Sequence, residues 1–411
     1  MKPAVFKSFQ KQIAIPFVVT ALLLTPSFSA SNMLNGIAFA NTPTVANPVN
    51  TVALTTSMID MSNDYALSVK QDGTVWAWGN NERGTLGDAS RISRQVPAQV
   101  KGLVNIKAVT TGKTHAVALK QDGTLVSWGM NGQGQLGSGN LSNSFIPVAV
   151  TNLKDVTSIS AGLTHTVALK KDGTVWAWGI NNFGQLGDGT MLNSSKPIQV
   201  KSLKDVVAIS AAGNYTIALK KDGTVWAWGG NQTGQCGDTT RLNRTVPIQI
   251  KVLTGVKAIY TGPAHAFAVK ADGTIWGWGR NGQGQLGDGT KVDHYIPIQI
   301  NGLKDFTSLS VGEGFTIGLK KDGTLFAWGD NGVGQLGTGT KEQRSFPTQV
   351  KNMTKVAVIS SGNQATIAVK QDGTLWIWGN NEHGVVGNGT TTKFGETYPI
   401  QSKLQLTPIK K

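Results

Sequence analysis

The sequence predicts an all-β protein: a seven-bladed β-propeller of four-stranded antiparallel blades, built from 50-residue repeats. Three observations carry this expectation. The first is the period. Trp78, Trp128, Trp178, Trp228, Trp278, Trp328 and Trp378 stand 50 residues apart, each followed by glycine. Gly84 to Gly384, Gly87 to Gly387 and Pro97 to Pro347 repeat at the same interval. The second is local: each repeat holds four short strand signals and shows no helical period. The third is composition. With 51 Gly and 14 Pro the chain is rich in turns, while 39% hydrophobic residues make it too apolar for disorder. A linear β-solenoid is the alternative, but a repeat of this length with its own hairpin is too long for one rung.

In chain order, the first segment reads as a signal peptide over residues 1–40. Lys2, Lys7 and Lys11 form a positive head, Ile13 to Leu24 an apolar run, and Ala38-Phe39-Ala40 a small-residue cleavage site. Ser27-Phe28-Ser29 is a second cleavage candidate, and an uncleaved anchor is the alternative. The run is shorter than the helix of about 20 residues that a bilayer requires. Residues 41–54 follow as a linker, 55–402 as the propeller and 403–411 as a C-terminal closing segment. These features predict a secreted or wall-associated bacterial protein. The chain carries a formal charge of +15, and removing a leader with three Lys and no acid leaves 15 − 3 = +12. Such a surface favours anionic partners, and export argues against nucleic acid. The lone Cys236 excludes an intrachain disulfide; it stands in the column of Leu136, Leu186, Leu286 and Leu336 and reads as a core residue.

Within a repeat the elements follow in order, and the third repeat shows them. Val156 to Ser160 reads as a strand, Ala161-Gly162 as its turn, and His165 to Lys170 as a second strand. Asp172-Gly173 predicts a two-residue type I′ hairpin, in which both residues take positive φ. Thr174 to Trp178 alternates as a third strand. A Gly-rich loop leads to Pro197 to Val200, an edge strand opened by proline. In the last repeat the proline is Pro399, so a loop there has gained two residues. Pro48 to Leu54 and Pro399 to Pro408 are the segments available to close a ring. All twelve tryptophans fall in third strands, which predicts packing between blades; a sugar-binding ladder is the competing reading.

Asp-Gly-Thr-Val-Trp-Ala-Trp-Gly-x-Asn-x-x-Gly-Gln-Leu-Gly-Asp-Gly at 172–189, with Ala161 to Leu169 before it, resembles the regulator of chromosome condensation repeat family. The match recurs seven times over about residues 55–402. The resemblance implies a seven-bladed propeller. For function it implies several things at once, because one fold hosts many activities. The eponymous member exchanges guanine nucleotide on a small nuclear GTPase and binds chromatin. Exported bacterial relatives include β-lactamase inhibitory proteins, which bind an enzyme with one propeller face. The leader departs from the chromatin-associated pattern, as does the absence of Lys and Arg from residues 41–56.

Motifs that suggest chemistry dissolve into the repeat. Gly132-x-Gly134-x-x-Gly137 and Gly282-x-Gly284-x-x-Gly287 fit a dinucleotide fingerprint, but strands surround them where a helix is required. His115, His165 and His265 share a column with Tyr65, Tyr215, Phe315 and Ala365, which reads as filler and not as a zinc set. Asp88, Asp188, Asp238 and Asp288 read as turn residues, since one carboxylate per loop cannot supply a calcium shell. His294 and His383 are isolated. No enzyme, cofactor or metal is expected.

The expected activity is binding. Successive antiparallel strands put the Asp-Gly hairpins and the inter-blade links on one face. That face carries Lys70 to Lys370 at each hairpin, plus Lys101, Lys201, Lys251 and Lys351, with Asp72 to Asp372 as partial offset. The other face carries the loops that vary most. Its candidate partner-binding residues are Arg91, Arg94, Phe145, Arg241, Arg244, His294, Tyr295, Arg344, Phe346, Lys393 and Phe394, with Tyr65, Tyr215 and Phe315 on companion loops. Aromatic and Arg side chains on variable loops over a rigid scaffold are the chemistry of binding hot spots. The alternative is that the aromatics tuck under their own loops. The main reading is a monomeric propeller that binds a protein, as an enzyme inhibitor or envelope interaction module. A wall-polymer or carbohydrate binder and a nucleotide-exchange regulator are the alternatives.

Overall fold

The structure is a computed structural model, described here for residues 58–62 and 64–409. The leader, the linker and Pro48 to Leu54 lie outside the described residues. Seven four-stranded antiparallel sheets follow one another along the chain, each built from one repeat with its strands in sequential order. The described residues contain no helix. The seven-bladed propeller is therefore the fold.

The third blade shows the pattern: Val156–Ala161, His165–Lys170, Val175–Gly179 and Ser194–Gln199. Two details differ from the expectation. The hairpin at Asp172-Gly173 is a three-residue loop, with Gly173 N–H donating to Lys170 O and Lys170 N–H to Thr174 O. Only Gly173, at φ 76°, is left-handed, which describes a type I turn closed by a glycine bulge. Asp172 is there for its side chain: Oδ1 accepts from Thr174 N (3.0 Å) and Thr174 Oγ1 (2.6 Å). Those bonds hold the carboxyl below the usual range. The second difference is the fourth strand, which begins at Ser194, three residues before the proline. Pro197 sits beside an irregularity in register, on the outer edge strand, where no ladder partner needs its N–H.

The core is the set of interfaces between blades. Each hydrophobic cluster draws from two neighbouring blades: Tyr65, Leu67 and Val75 of the first blade pack with Ile106, Ala116 and Trp128 of the second. The inner tryptophan column, Trp78 to Trp378, is fully buried. Six of the seven indoles donate to a carbonyl of the preceding blade, among them Trp128 to Thr85 O (2.7 Å), Trp178 to Gln135 O (3.0 Å) and Trp228 to Gln185 O (3.0 Å). These tryptophans are packing residues, as expected. The outer column differs. Trp76, Trp176, Trp226, Trp276 and Trp376 are half-buried and bond the Oγ1 of the Thr two residues earlier. Lys Nζ lies 3.9–6.0 Å from each ring centroid.

The ring closes on itself through the same contacts. Trp78 Nε1 donates to Val385 O of the last blade at 2.6 Å. Gly389 N–H donates to Gln95 O at 2.9 Å, as Gly139 N–H does to Ser195 O between the second and third blades. The last blade takes its fourth strand, Thr392–Gln405, from its own repeat. Among the described residues no strand is exchanged between the first and last blades.

Candidate binding face and central channel

The long loop after each third strand is pinned by one buried asparagine, at Asn81, Asn131, Asn181, Asn231, Asn281, Asn331 and Asn381. Asn181 Oδ1 accepts from Leu186 N (2.9 Å), while its Nδ2 donates to Asp188 Oδ1 (3.1 Å) and Thr190 O (3.1 Å). A fully buried amide with its bonds made fixes a loop that would otherwise be free. The asparagine was visible as part of the repeated motif, but its role as loop anchor was not.

This framework divides the predicted partner-binding residues into three groups. Tyr65, Tyr215 and Phe315 are corrected: they begin second strands and are completely buried. Tyr65 Oη donates to Gly112 O (2.9 Å) and His115 O (2.6 Å) of the next blade, and Tyr215 Oη repeats this on Gly262 and His265. Their column is a clasp between blades. The histidines of the same column do the same work, His115, His165 and His265 each placing Nε2 within 2.9–3.2 Å of a Thr Oγ1 on the next blade. Burial pulls their pKa values down to about 4, 3 and 3, so they are neutral.

The second group braces loops. Arg94 binds Asp88 through Nε at 2.7 Å, Arg244 binds Asp238 at 2.6 Å, and His294 lies 3.0 Å from Asp288. Arg344 pairs with Glu342 at 2.7 Å. Burial alone would raise the Asp88 and Asp238 carboxyls, but bonds from Ser90 and Arg94, and from Arg244, Asn231 and Thr240, hold both below the usual range. The aspartates keep the expected turn role, each accepting from the loop residue two positions on. Phe145 and Tyr295 are half-buried and lie across Gly84 and Gly234 of the preceding blade. Arg91 stands 5.9 Å over the Phe145 ring and Arg241 5.5 Å over Tyr295. These two aromatics tuck under, as the alternative reading held.

The third group is exposed. Phe346 and Phe394 are 62% and 73% exposed, Lys341 stands 5.7 Å over the Phe394 ring, and Lys393 is exposed beside it. The loop tips add aliphatic side chains that sequence reading passed over: Ile92, Leu192, Leu242 and Val292 are all more than 60% exposed, and Tyr398, on the last strand, is 64% exposed. The signal was present in the repeat, since four of these share one column. Arg91, Arg241, Lys291 and Lys341 alternate with them and make no ion pair with an acid among the described residues.

The first strands line a central cavity of about 260 Å³, walled by Thr and Ser hydroxyls and by Asp60. Glycines of the turns after the first strands, Gly112, Gly162, Gly312 and Gly362, also line it, so it reaches the variable-loop face. Asp60 accepts from Met61 N (3.0 Å) and from Thr111 N (2.8 Å) and Oγ1 (3.1 Å) of the next blade. Removal from solvent raises its pKa to about 6 against those bonds. The sequence reading did not single out Asp60. The signal was one acid in a column otherwise filled by Thr110, Ser160, Ser210, Tyr260, Ser310 and Ser360. No group of three or more His, Cys, Asp or Glu suited to a metal ion occurs among the described residues.

Fold and surface define a repeat propeller with a cavity on its axis and an apolar, cationic rim on one face. The chain belongs to the RCC1-like domain family, whose family model matches residues 31–255 and 195–410. No curated protein matches it in sequence. Among solved structures it is similar to Prp20p of Saccharomyces cerevisiae, at 23% identity and TM-score 0.73, over 85% of this chain and 88% of that one. It is also similar to human WBSCR16, at 22% identity and TM-score 0.72, over 80% and 95%. Yeast RCC1 (Prp20) bound to Kap60 gives 21% identity and TM-score 0.74, over 92% and 91%. The Prp20p structure is described together with that protein's binding to Gsp1p and histones.

Proposed function

We propose that this chain is an exported, non-catalytic propeller that binds another protein through its variable-loop face. One observation carries the reading: exposed apolar side chains stand on loops fixed by buried asparagines, Ile92, Leu192, Leu242 and Val292, and near the start of the fourth strands that follow such loops, Phe346 and Phe394. Rigid presentation matters because an ordered loop loses little conformational entropy on binding. The interleaved Arg91, Arg241, Lys291 and Lys341, whose bonds go to neutral oxygens and not to carboxylates, add a positive rim suited to an acidic protein surface. Export rests on the leader sequence, and with it the bacterial, extracellular setting.

The lysine-rich face is a weaker candidate. Lys70, Lys170, Lys220, Lys270 and Lys370 lie over tryptophan rings, and Lys170 and Lys220 approach Asp172 and Asp222 at 3.6 and 3.9 Å. The test uses the chain as bait for exported proteins and wall fragments at low and high salt. A discrete protein that survives high salt, and is lost when Leu192, Leu242, Phe346 and Phe394 are all changed to Ser, is the expected result. Retention of wall material alone, released as salt rises, would replace this reading with polymer binding by the lysine face.

A further inference from the structure

We propose that the central cavity is a binding site for a primary alkylammonium group, with Asp60 as its counter-charge. The hydroxyl column shows why a carboxylate there is more than a structural part. Thr110 Oγ1 accepts from Ala161 N of the next blade at 3.1 Å, and Ser160 Oγ from Ala211 N at 2.9 Å. Asp60 Oδ2 performs the same step on Thr111 N. Neutral hydroxyls do this work in other blades, so the interface does not require a charge. Asp60 nevertheless takes a carboxylate into the cavity wall, where ionisation is opposed by desolvation. No Lys, Arg or His makes an ion pair with it among the described residues. Its further neighbours are neutral hydroxyls, Thr110 and, at 3.5 Å, Ser360 Oγ.

The cavity suits a slender cation. Small turn residues at its mouth leave the way open, and Ser and Thr hydroxyls supply acceptors for the other ammonium hydrogens. The other charged residues lining it are Lys113 and Lys257. Lys113 is exposed on the mouth. Lys257 is three strand positions further from the mouth than the Asp60 column, about 10 Å along the axis. Tyr260, also in the wall, is pushed up to about 12 by burial and stays neutral. Asp60 is therefore the anionic point of the cavity, with cations at its two ends that favour a ligand holding a single positive group at mid-depth. This site does not depend on the rim capturing a protein, because a small amine reads the cavity alone.

The experiment is calorimetric titration of the full chain with n-butylammonium at pH 7.5 and pH 4.5. Butan-1-ol serves as the neutral isostere, and the variants are Asp60→Ser, Asp60→Asn and Lys113→Ala. Serine restores the residue that the column uses elsewhere, so Asp60→Ser keeps the interface; circular dichroism confirms its fold. The expected results are binding of butylammonium but not butanol, at least tenfold weaker at pH 4.5, lost in both Asp60 variants, and strengthened several-fold by Lys113→Ala. Nα-acetyl-lysine methylamide binding more tightly than n-pentylammonium would place the ammonium on a polypeptide, and the reverse order on a free monoamine. Undiminished butylammonium binding to Asp60→Ser, or none by the unaltered chain at millimolar concentration, overturns the proposal.

Discussion

At the scale of the residue, Asp60 makes a stability prediction that its neighbours do not. Its carboxyl has a pKa raised to about 6, mainly by desolvation, from an ordinary 3.8. Folding therefore takes up a proton. The sign follows: the protein is more stable where Asp60 is protonated, and that stability is lost as pH rises from about 4 through about 6. The rise corresponds to about 3 kcal/mol. Asp60→Ser removes the penalty and keeps the bond to Thr111, so it should stabilise by about 1–3 kcal/mol at pH 7.5. By pH 4 most of the gain should vanish. Urea denaturation at the two pH values measures this, and equal effects at both would show that the charge is not the cause. Asp60 was hard to single out because its distinction is relative: an aspartate in one repeat is unremarkable until the column beside it is known to face an axial cavity. Tyr65, Tyr215 and Phe315 show the opposite failure. Their column was recognised as filler from its tolerance of His and Ala, yet their nearness to a turn also made them look exposed. The start of a strand lies close to the loop in sequence and fully inside in space.

At the scale of the element, the Gly132-x-Gly134-x-x-Gly137 loop explains itself by what each glycine admits. Gly132 is exposed, with nothing within 4 Å of a would-be Cβ. Gly134 takes φ 80° and lets the Ser195 backbone of the next blade approach, where a Cβ would stand 2.6 Å from Ser195 Cα. Gly137, at φ 66°, faces Trp178, and a Cβ there would meet Nε1 at 2.7 Å. The fingerprint is thus a seam between blades, as its recurrence implied, and the sequence concealed only which glycine does what. Gly132→Ala should change stability by less than about 0.5 kcal/mol. Gly137→Ala should cost about 2–4 kcal/mol, from a left-handed alanine and a displaced tryptophan. Thermal melts of the two variants decide this, and comparable losses would contradict it. The hairpins show where element reading falls short: Asp-Gly fixed the turn's position, but glycine alone supplies the positive φ, while aspartate is retained to hold Thr174.

At the scale of the whole molecule, the question is how a ring of like blades resists opening. A period of 50 residues made the blade count legible, because only one closed architecture repeats four short strands in this way. Closure was not legible, since Pro48 to Leu54 and Pro399 to Pro408 both offered strands, and pairing across a ring has no local signature. The structure gives the seam between the last and first blades the chemistry of the internal seams. Trp78 donates to Val385 O at 2.6 Å as Trp178 donates to Gln135 O at 3.0 Å, and both indoles are fully buried. The cluster at the seam joins Ile59, Met61 and Trp78 to Ile367, Ile377 and Leu404. In a stack of repeats each interface adds its own term to stability, and a weak one sets where the array comes apart. At an internal seam, Trp128→Phe removes the indole donor of the buried Thr85 carbonyl and leaves a small void, which costs about 2–4 kcal/mol. If the seam is held as the other interfaces are, Trp78→Phe costs the same within about 1 kcal/mol and leaves a single cooperative transition. Calorimetry of the two variants separates the cases. A much larger loss in Trp78→Phe, or a second transition seen only there, would mean that the ring opens first at the junction of its first and last blades.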